Sequence, residues 1–305
     1  MEASVKRFIA LLSAMLLCGV LGLAGCAEQE TYTPAPKAAA VADEALAAPG
    51  TITVGVDTSQ GKAPLAGVST AGKVVGMDVD LAVWLADELG LKVKVVDVSA
   101  DPVGSLEAGD VDILLGVSAE ETGSNLWLSS VYVPTAVVLF SLDPNAGVPA
   151  DDSNPQISAE AAKVSAWAVA NEFGADSLVS GNDMGEVFEM LRDGSVQYAA
   201  ADALIGLYAA NTVHCDANIV ALMQKPTGYC VGVRADNAEL QQAITSAMLK
   251  LSANGILDKM VETKWLNKPI SLDSVPYTEL AGQIAGADAE PEAEAEGGEG
   301  EGGEA

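Results

Sequence analysis

The sequence predicts an α/β protein of two lobes, and three observations carry that prediction. Strand-length apolar runs alternate with helical patterns in two successive sets, which is how sheets with parallel strands are built. Half of the 305 residues are apolar, enough to fill the cores of two modest domains. After the second set the chain returns as a long helical stretch over 237–266 whose apolar residues keep to one stripe.

The first set opens at 51–56, TITVGV, β-branched and alternating, and runs into the polar loop 57–62. A second loop of Ser, Thr and Gly leads to a helix that Asp78 or Asp80 caps. Leu81, Trp84, Leu85 and Leu89 share its inward face and Gly90 ends it. A strand over 92–98, a short helix over 102–108 and a strand beginning at Val111 complete the set. The stretch 111–123, VDILLGVSAEETG, is apolar for a strand's length and then small, polar and acidic. An α/β sheet presents ligand loops at strand carboxyl ends in this way, and an ordinary strand and turn gives the same pattern.

The run 131–142 is extended and contains Pro134, which suits an edge or crossing strand. Beyond the polar loop 143–155 the second set reads as a strand over 163–167, a helix over 183–192, a strand over 195–200, a helix over 202–211 and a strand over 218–223. A strand over 229–234 then leads to helices over 237–253 and 256–266, broken at Gly255.

The formal charge is −28, and eight of the acids crowd into 286–305 without a base among them. The acidity excludes nucleic acid as a partner, because no basic stripe exists to neutralise phosphates. The tail 286–305 is Glu, Ala and Gly and is expected to be disordered. At the other end, Lys6 and Arg7 precede an uncharged apolar run over 8–25, the pattern of a secretory signal and also, at about 18 residues, the length of a short membrane anchor. Leu23-Ala24-Gly25-Cys26 resembles the bacterial lipoprotein signal, the lipobox. That resemblance implies removal of 1–25 and lipidation of Cys26, which anchors the chain to a membrane without spanning it. The Ala-, Pro- and Thr-rich stretch 26–49 reads as a flexible linker.

Several segments then match one family in order. They are Val54-Gly55-Val56-Asp57, Gly76-Met77-Asp78-Val79-Asp80-Leu81-Ala82 and Leu106-Glu107-Ala108-Gly109-Asp110-Val111-Asp112. In the second half they are Leu191-Arg192-Asp193-Gly194-Ser195-Val196, Gly228-Tyr229-Cys230-Val231-Gly232-Val233-Arg234 and Ala253-Asn254-Gly255-Ile256-Leu257-Asp258-Lys259. The chain resembles the bacterial extracellular solute-binding proteins of family 3, the amino-acid-type receptors of ABC importers. The resemblance implies a type II periplasmic-binding-protein-like fold, two α/β lobes joined by two crossing strands, with 50–139 plus 226–275 as lobe 1 and 140–225 as lobe 2. It implies an extracytoplasmic, monomeric, non-enzymatic protein that captures a small polar solute in the interlobe cleft and passes it to a permease. No cofactor is expected.

Carried over position by position, the resemblance makes Asp57, Gln60 and Leu65 contacts from the first loop, and Gly116 and Ser118 contacts from the loop after the third strand. Asp202 becomes the second-lobe acid that pairs with a ligand ammonium, and it also caps the helix it opens. The family's carboxylate-gripping Arg is missing: its register falls at Gly123, and the position the family fills with Thr is Glu120. No Arg occurs between Thr51 and Leu191. A cleft lined by Asp57, Glu120 and Asp202, with Glu121 beside them, repels a free carboxylate and favours an amine or another cationic or polar solute, unless both glutamates face solvent. Trp167, at the end of the 163–167 strand, is placed to stack on a cation.

Cys215 and Cys230 lie outside the cytoplasm on this reading, so a disulfide is expected between them; closing a loop of about fifteen residues contributes ~3 kcal/mol in the chain-entropy model. His214 and Cys215 alone make a poor metal site. Two other functions stay open: a ligand sensor uncoupled from transport, and a dehydratase of cyclohexadienyl acids, a chemistry some proteins of this fold perform. The missing Arg counts against the anionic substrates of the latter.

Overall fold

The computed structural model describes residues 37–121 and 125–287, and its strands fall into two large mixed sheets and one small hairpin. The chain begins with β1 (Thr51–Val56), the hairpin β2 (Gly67–Val68) and β3 (Val74–Val75), α1 (Met77–Leu89), β4 (Lys92–Asp97), α2 (Pro102–Glu107), β5 (Ile113–Ser118), β6 (Leu126–Leu128) and β7 (Val133–Thr135). Next come β8 (Val137–Ser141), β9 (Ile157–Glu160), α3 (Val164–Phe173), β10 (Leu178–Gly181), α4 (Met184–Asp193), β11 (Tyr198–Asp202), α5 (Ala203–Thr212) and β12 (Asn218–Leu222). The chain then returns through β13 (Thr227–Arg234), α6 (Ala238–Ala253), α7 (Ile256–Lys259), a π-helical turn Met260–Leu266 and α8 (Glu279–Ala287).

The first sheet has the order β4-β1-β5-β13-β6, with β7 also on β13. Its β4, β1 and β5 run parallel and β13 runs against β5. The second has the order β10-β9-β11-β8-β12, with β10, β9 and β11 parallel and β8 and β12 antiparallel additions. Strand burial follows position. Central β1 is buried from Ile52 to Val56, whereas edge β4 alternates and turns Lys92, Lys94 and Asp97 to solvent. Helices cover both faces of each sheet: Leu81, Leu85 and Leu89 of α1 pack with Ile244, Met248 and Leu251 of α6, and Phe140 of β8 meets Phe188 of α4 edge-on at 5.1 Å.

Short-range chemistry starts the helices. Asp101 accepts the Gly104 N–H ahead of α2, with Pro102 in the first turn. Asp183 accepts the Glu186 N–H, and Glu186 reaches back to the Asn182 N–H, so α4 opens on a reciprocal pair.

Several expectations are corrected. The strand expected over 163–167 is the start of α3, and the real strand is β9, whose Ser158 and Glu160 disguise it although all four of its residues are buried. Neither Asp78 nor Asp80 caps α1, whose N-cap is Gly76. Asp78 is buried instead, and Asp80 accepts from Lys264 and from the Trp265 indole. Trp84 is 44% exposed rather than inward. The first crossing lies at Ala136, between β7 of the first sheet and β8 of the second, rather than after Leu139. The linker expected over 26–49 is docked from Lys37 onward: Val41 and Leu46 are buried, and the Ala47 N–H donates to Asp112. Beyond the expected end of lobe 1 at 275, Pro276 and Thr278 bond to Leu222 of β12, and the Leu280 N–H donates to Glu172 of α3, so the C-terminal helix belongs with the second sheet. The expected disulfide is not formed: Cys215, after α5, and Cys230, on β13, are both free and buried, because the crossing back to β13 carries the second cysteine into the other sheet. The signal segment 1–25, Cys26, Gly123 and the tail from Asp288 lie outside the described residues.

Candidate functional site

Between the lobes lies a cavity of about 540 Å³ with walls from both sheets and a floor from the crossings. The first-lobe wall comes from the loop after β1 and from the end of β5. The second-lobe wall comes from the end of β9, the start of α3 and the start of α5; Thr135, Ala136 and Thr227 lie at the base. Loops at the carboxyl ends of β1, β5, β9 and β11 thus converge, because parallel strands of each sheet end on the side that faces the other lobe.

Asp57 stands at the end of β1, where the Ser59 amide and hydroxyl donate to it and Lys62 Nζ lies 3.4 Å away. Burial pushes its carboxyl up, but the two Ser59 bonds and the Lys62 charge outweigh burial and hold it below its ordinary value. Gln60 and Lys62 line the cavity from the same loop. Gly116, within β5, takes φ +72°, and a Cβ there would meet Asp78 Oδ2 at 2.9 Å, so the strand needs glycine at this point. Ser118 ends β5 opposite Tyr229, and its hydroxyl accepts the Glu120 N–H at 3.2 Å. Glu120 and Glu121 line the cavity and are exposed.

On the facing wall Asp202 caps α5 by accepting the Ile205 N–H at 3.0 Å, and its other oxygen accepts the Tyr229 hydroxyl at 3.1 Å. Burial raises its carboxyl above the usual range, partly countered by these bonds and the Thr135 hydroxyl. Burial and the neighbouring Asp202 raise Tyr229 in turn. Glu160 is buried at the end of β9, and Lys163 Nζ lies 3.7 Å from it. Ala162, at φ +60°, turns the chain from β9 into α3. The amino end of α3 therefore faces the cavity, and Ser165 in its first turn is 5% exposed with a hydroxyl that has no partner among the described residues. At the mouth, a Cβ on Gly61 would stand 3.5 Å from Lys163 Nζ, so the two lips approach each other there.

Of the expected contacts, Asp57, Gln60, Gly116, Ser118, Glu120 and Asp202 line the same cavity. Two do not. Leu65 is buried beneath the loop, with its methyl 3.8 Å from where a Gly116 Cβ would stand. Trp167 sits on the second turn of α3, 66% exposed, because the 163–167 segment is helical and turns that position outward. Sequence reasoning missed Glu160, Lys163 and Ser165 as lining residues, since the strand misplacement put them in a loop and a core strand. Tyr229 was legible only as part of a motif.

Two α/β lobes joined by two strand crossings, with a polar cavity between them, define a type II periplasmic binding protein. The sequence model of the bacterial extracellular solute-binding proteins, family 3, matches residues 52–268, and the chain belongs to that family. No curated protein matches the sequence. Among solved structures, it is similar to an ancestral cationic amino acid solute-binding protein (22% identity, TM-score 0.62, covering 71% of this chain and 96% of that one). It is similar to the L-cystine solute receptor of Neisseria gonorrhoeae in the unliganded open conformation (23%, 0.61, covering 73% and 95%). A third is an amino acid ABC transporter substrate-binding protein from Streptococcus pneumoniae bound to L-arginine (25%, 0.52, covering 74% and 97%).

Proposed function

We propose that this chain is a lipid-anchored extracytoplasmic receptor that captures a small cationic solute, an amine or a cationic amino acid, between its lobes and delivers it to an ABC importer. The observation that carries the reading is the charge of the cavity wall: the buried or half-buried acids Asp57, Glu160 and Asp202, with the exposed Glu120 and Glu121 beside them, against Lys62 and Lys163, and no arginine among the lining residues. The cavity volume suits a ligand of amino-acid size. Asp57 on one lobe and Asp202 on the other line the cavity as partners for a cation. Lys163, the Ser165 hydroxyl and the amino end of α3 line it as partners that suit a carboxylate where the ligand has one, in place of the missing Arg. L-arginine, the ligand of the Streptococcus pneumoniae relative, is of this class. The LAGC motif supports lipidation at Cys26, and family membership supports a permease partner.

Calorimetry against acidic, neutral and cationic amino acids and against diamines tests the reading. Cationic solutes are expected to bind, and Asp202→Asn to weaken them at least about tenfold, the loss typical of a charge-assisted bond. Tight binding of glutamate, or equal binding of all α-amino acids, would overturn it.

A further inference from the structure

Behind the loop at the end of β5 the chain holds a buried carboxyl with no part in the cavity wall. Asp78, in the first turn of α1, is 1% exposed, and Tyr132, just before β7, is 5% exposed. The Gly116 N–H donates to the Tyr132 oxygen at 2.8 Å, and the Tyr132 O–H donates to Asp78 Oδ1 at 2.7 Å. With Asp78 ionised the direction of this chain is forced. An amide N–H can only donate and a carboxylate can only accept, so the Tyr132 oxygen takes the Gly116 N–H and the one phenolic proton goes to the carboxylate. Asp78 Oδ2 lies against the loop backbone as well, 2.9 Å from the Cβ position of Gly116. Tyr132 is itself held, its N–H donating to the Tyr229 carbonyl at 2.9 Å.

We propose that Asp78 is a positioning residue for the cleft, whose protonation state is passed through the Tyr132 hydroxyl to the Gly116 amide and so sets the polarity of the end of β5 from Gly116 to Ser118.

An ionised acceptor makes a stronger hydrogen bond than a neutral one, and a bond in a chain polarises the next. Ionised Asp78 therefore draws harder on Tyr132, and Tyr132 on the Gly116 N–H; the protonated acid relaxes both. The switch falls at neutral pH because burial pushes Asp78 up to about 7, against the opposing pull of the Tyr132 bond and the Lys62 charge. The groups that face it are Lys62 from the loop after β1, Tyr132, and Tyr229 from β13, which in turn contacts Asp202. A cation entering the cleft favours ionised Asp78, so uptake releases a proton and affinity rises as pH passes upward through neutrality. That consequence rests on the cationic reading of the ligand, whereas the relay does not.

The relay is read on the unliganded protein, so its failure is distinct from failure of the ligand assignment. Nuclear magnetic resonance follows the Asp78 carboxyl carbon and the Gly116 amide proton across the neutral pH range. Both are expected to titrate with one midpoint. In Tyr132→Phe, Asp78 still titrates and the Gly116 amide follows it with a clearly smaller shift, the part that the direct approach of Oδ2 transmits; in Asp78→Asn the Gly116 titration is lost. A Gly116 amide that ignores the wild-type Asp78 titration, that follows it unchanged in Tyr132→Phe or that titrates unchanged in Asp78→Asn overturns the proposal. So does an Asp78 carboxyl that holds one charge state throughout.

Discussion

Two buried carboxyls make different statements about stability. Asp78 has its folded value raised by burial to about 7 from an ordinary 3.8. A raised acid binds its proton more tightly in the folded chain, so its contribution is fully present below the unfolded value and is lost as pH rises through about 7. Chemical denaturation is therefore expected to show the Asp78 contribution declining between the unfolded value of 3.8 and about 7 and levelling off above it, by a few kcal/mol at most, on the order of the linkage relation. Asp78→Asn should flatten that slope, and an equal slope in the variant would exclude Asp78 as its source. Asp202 serves a cap and the cavity together, and substitution separates the two roles. Asn keeps an oxygen for the Ile205 N–H, so Asp202→Asn is expected to melt near the wild-type temperature, whereas Asp202→Ala loses about 1 kcal/mol from the missing cap. Equal melting temperatures for the two variants would remove the cap from the account.

At the scale of elements, one side chain ties down the start of the helix at the end of the described chain. Glu172 of α3 accepts the Leu280 N–H at 2.9 Å through one oxygen and the Thr278 hydroxyl at 2.7 Å through the other, at the point where α8 begins. Short helices are marginal alone, and α8 holds its place through this docking and the Leu222 backbone bonds. Glu172→Ala is expected to speed amide hydrogen exchange across α8 by about tenfold for each 1.4 kcal/mol lost, while β1 and β5 stay protected. Exchange in α8 no faster than in the wild type would show that the helix is held elsewhere. The misplaced strand belongs to this scale too. KVSAW over 163–167 has strand-like alternation, and Ser158 and Glu160 make β9 read as loop, because a buried strand can carry polar side chains once partners satisfy them. Ser158 donates to the Val187 carbonyl, and Lys163 faces Glu160.

For the whole molecule, the two acids proposed to meet a cation stand on different lobes, Asp57 after β1 and Asp202 before α5. A solute that touches both favours whichever arrangement brings them together, and differential contact of that kind drives closure about crossing strands. Small-angle scattering at saturating cationic ligand is expected to show a smaller radius of gyration than the free protein. A radius unchanged on saturation would mean that the solute binds one wall only. The crossings at Ala136 and between Leu222 and Thr227 are not the only bridges: Asn211 of α5 donates to the Leu266 carbonyl and Lys268 to that of Ala217, so the C-terminal passage ties the lobes a third time.

The α/β class, the order of most elements and six of the lining residues were legible in the sequence, because strand and helix periodicity is local and the loops after β1 and β5 carry their polar residues at once. Tertiary structure alone decided that Cys215 and Cys230 stay apart, that the stretch from Lys37 docks rather than dangles, and that Lys163 and Ser165 line the cavity. It alone turned Asp78 from a helix cap into a buried acid behind the end of β5. In each case the deciding contact joins residues far apart in the chain, and the physical term that rules it, burial of a charge or of an apolar side chain, has no value until the lobes have formed.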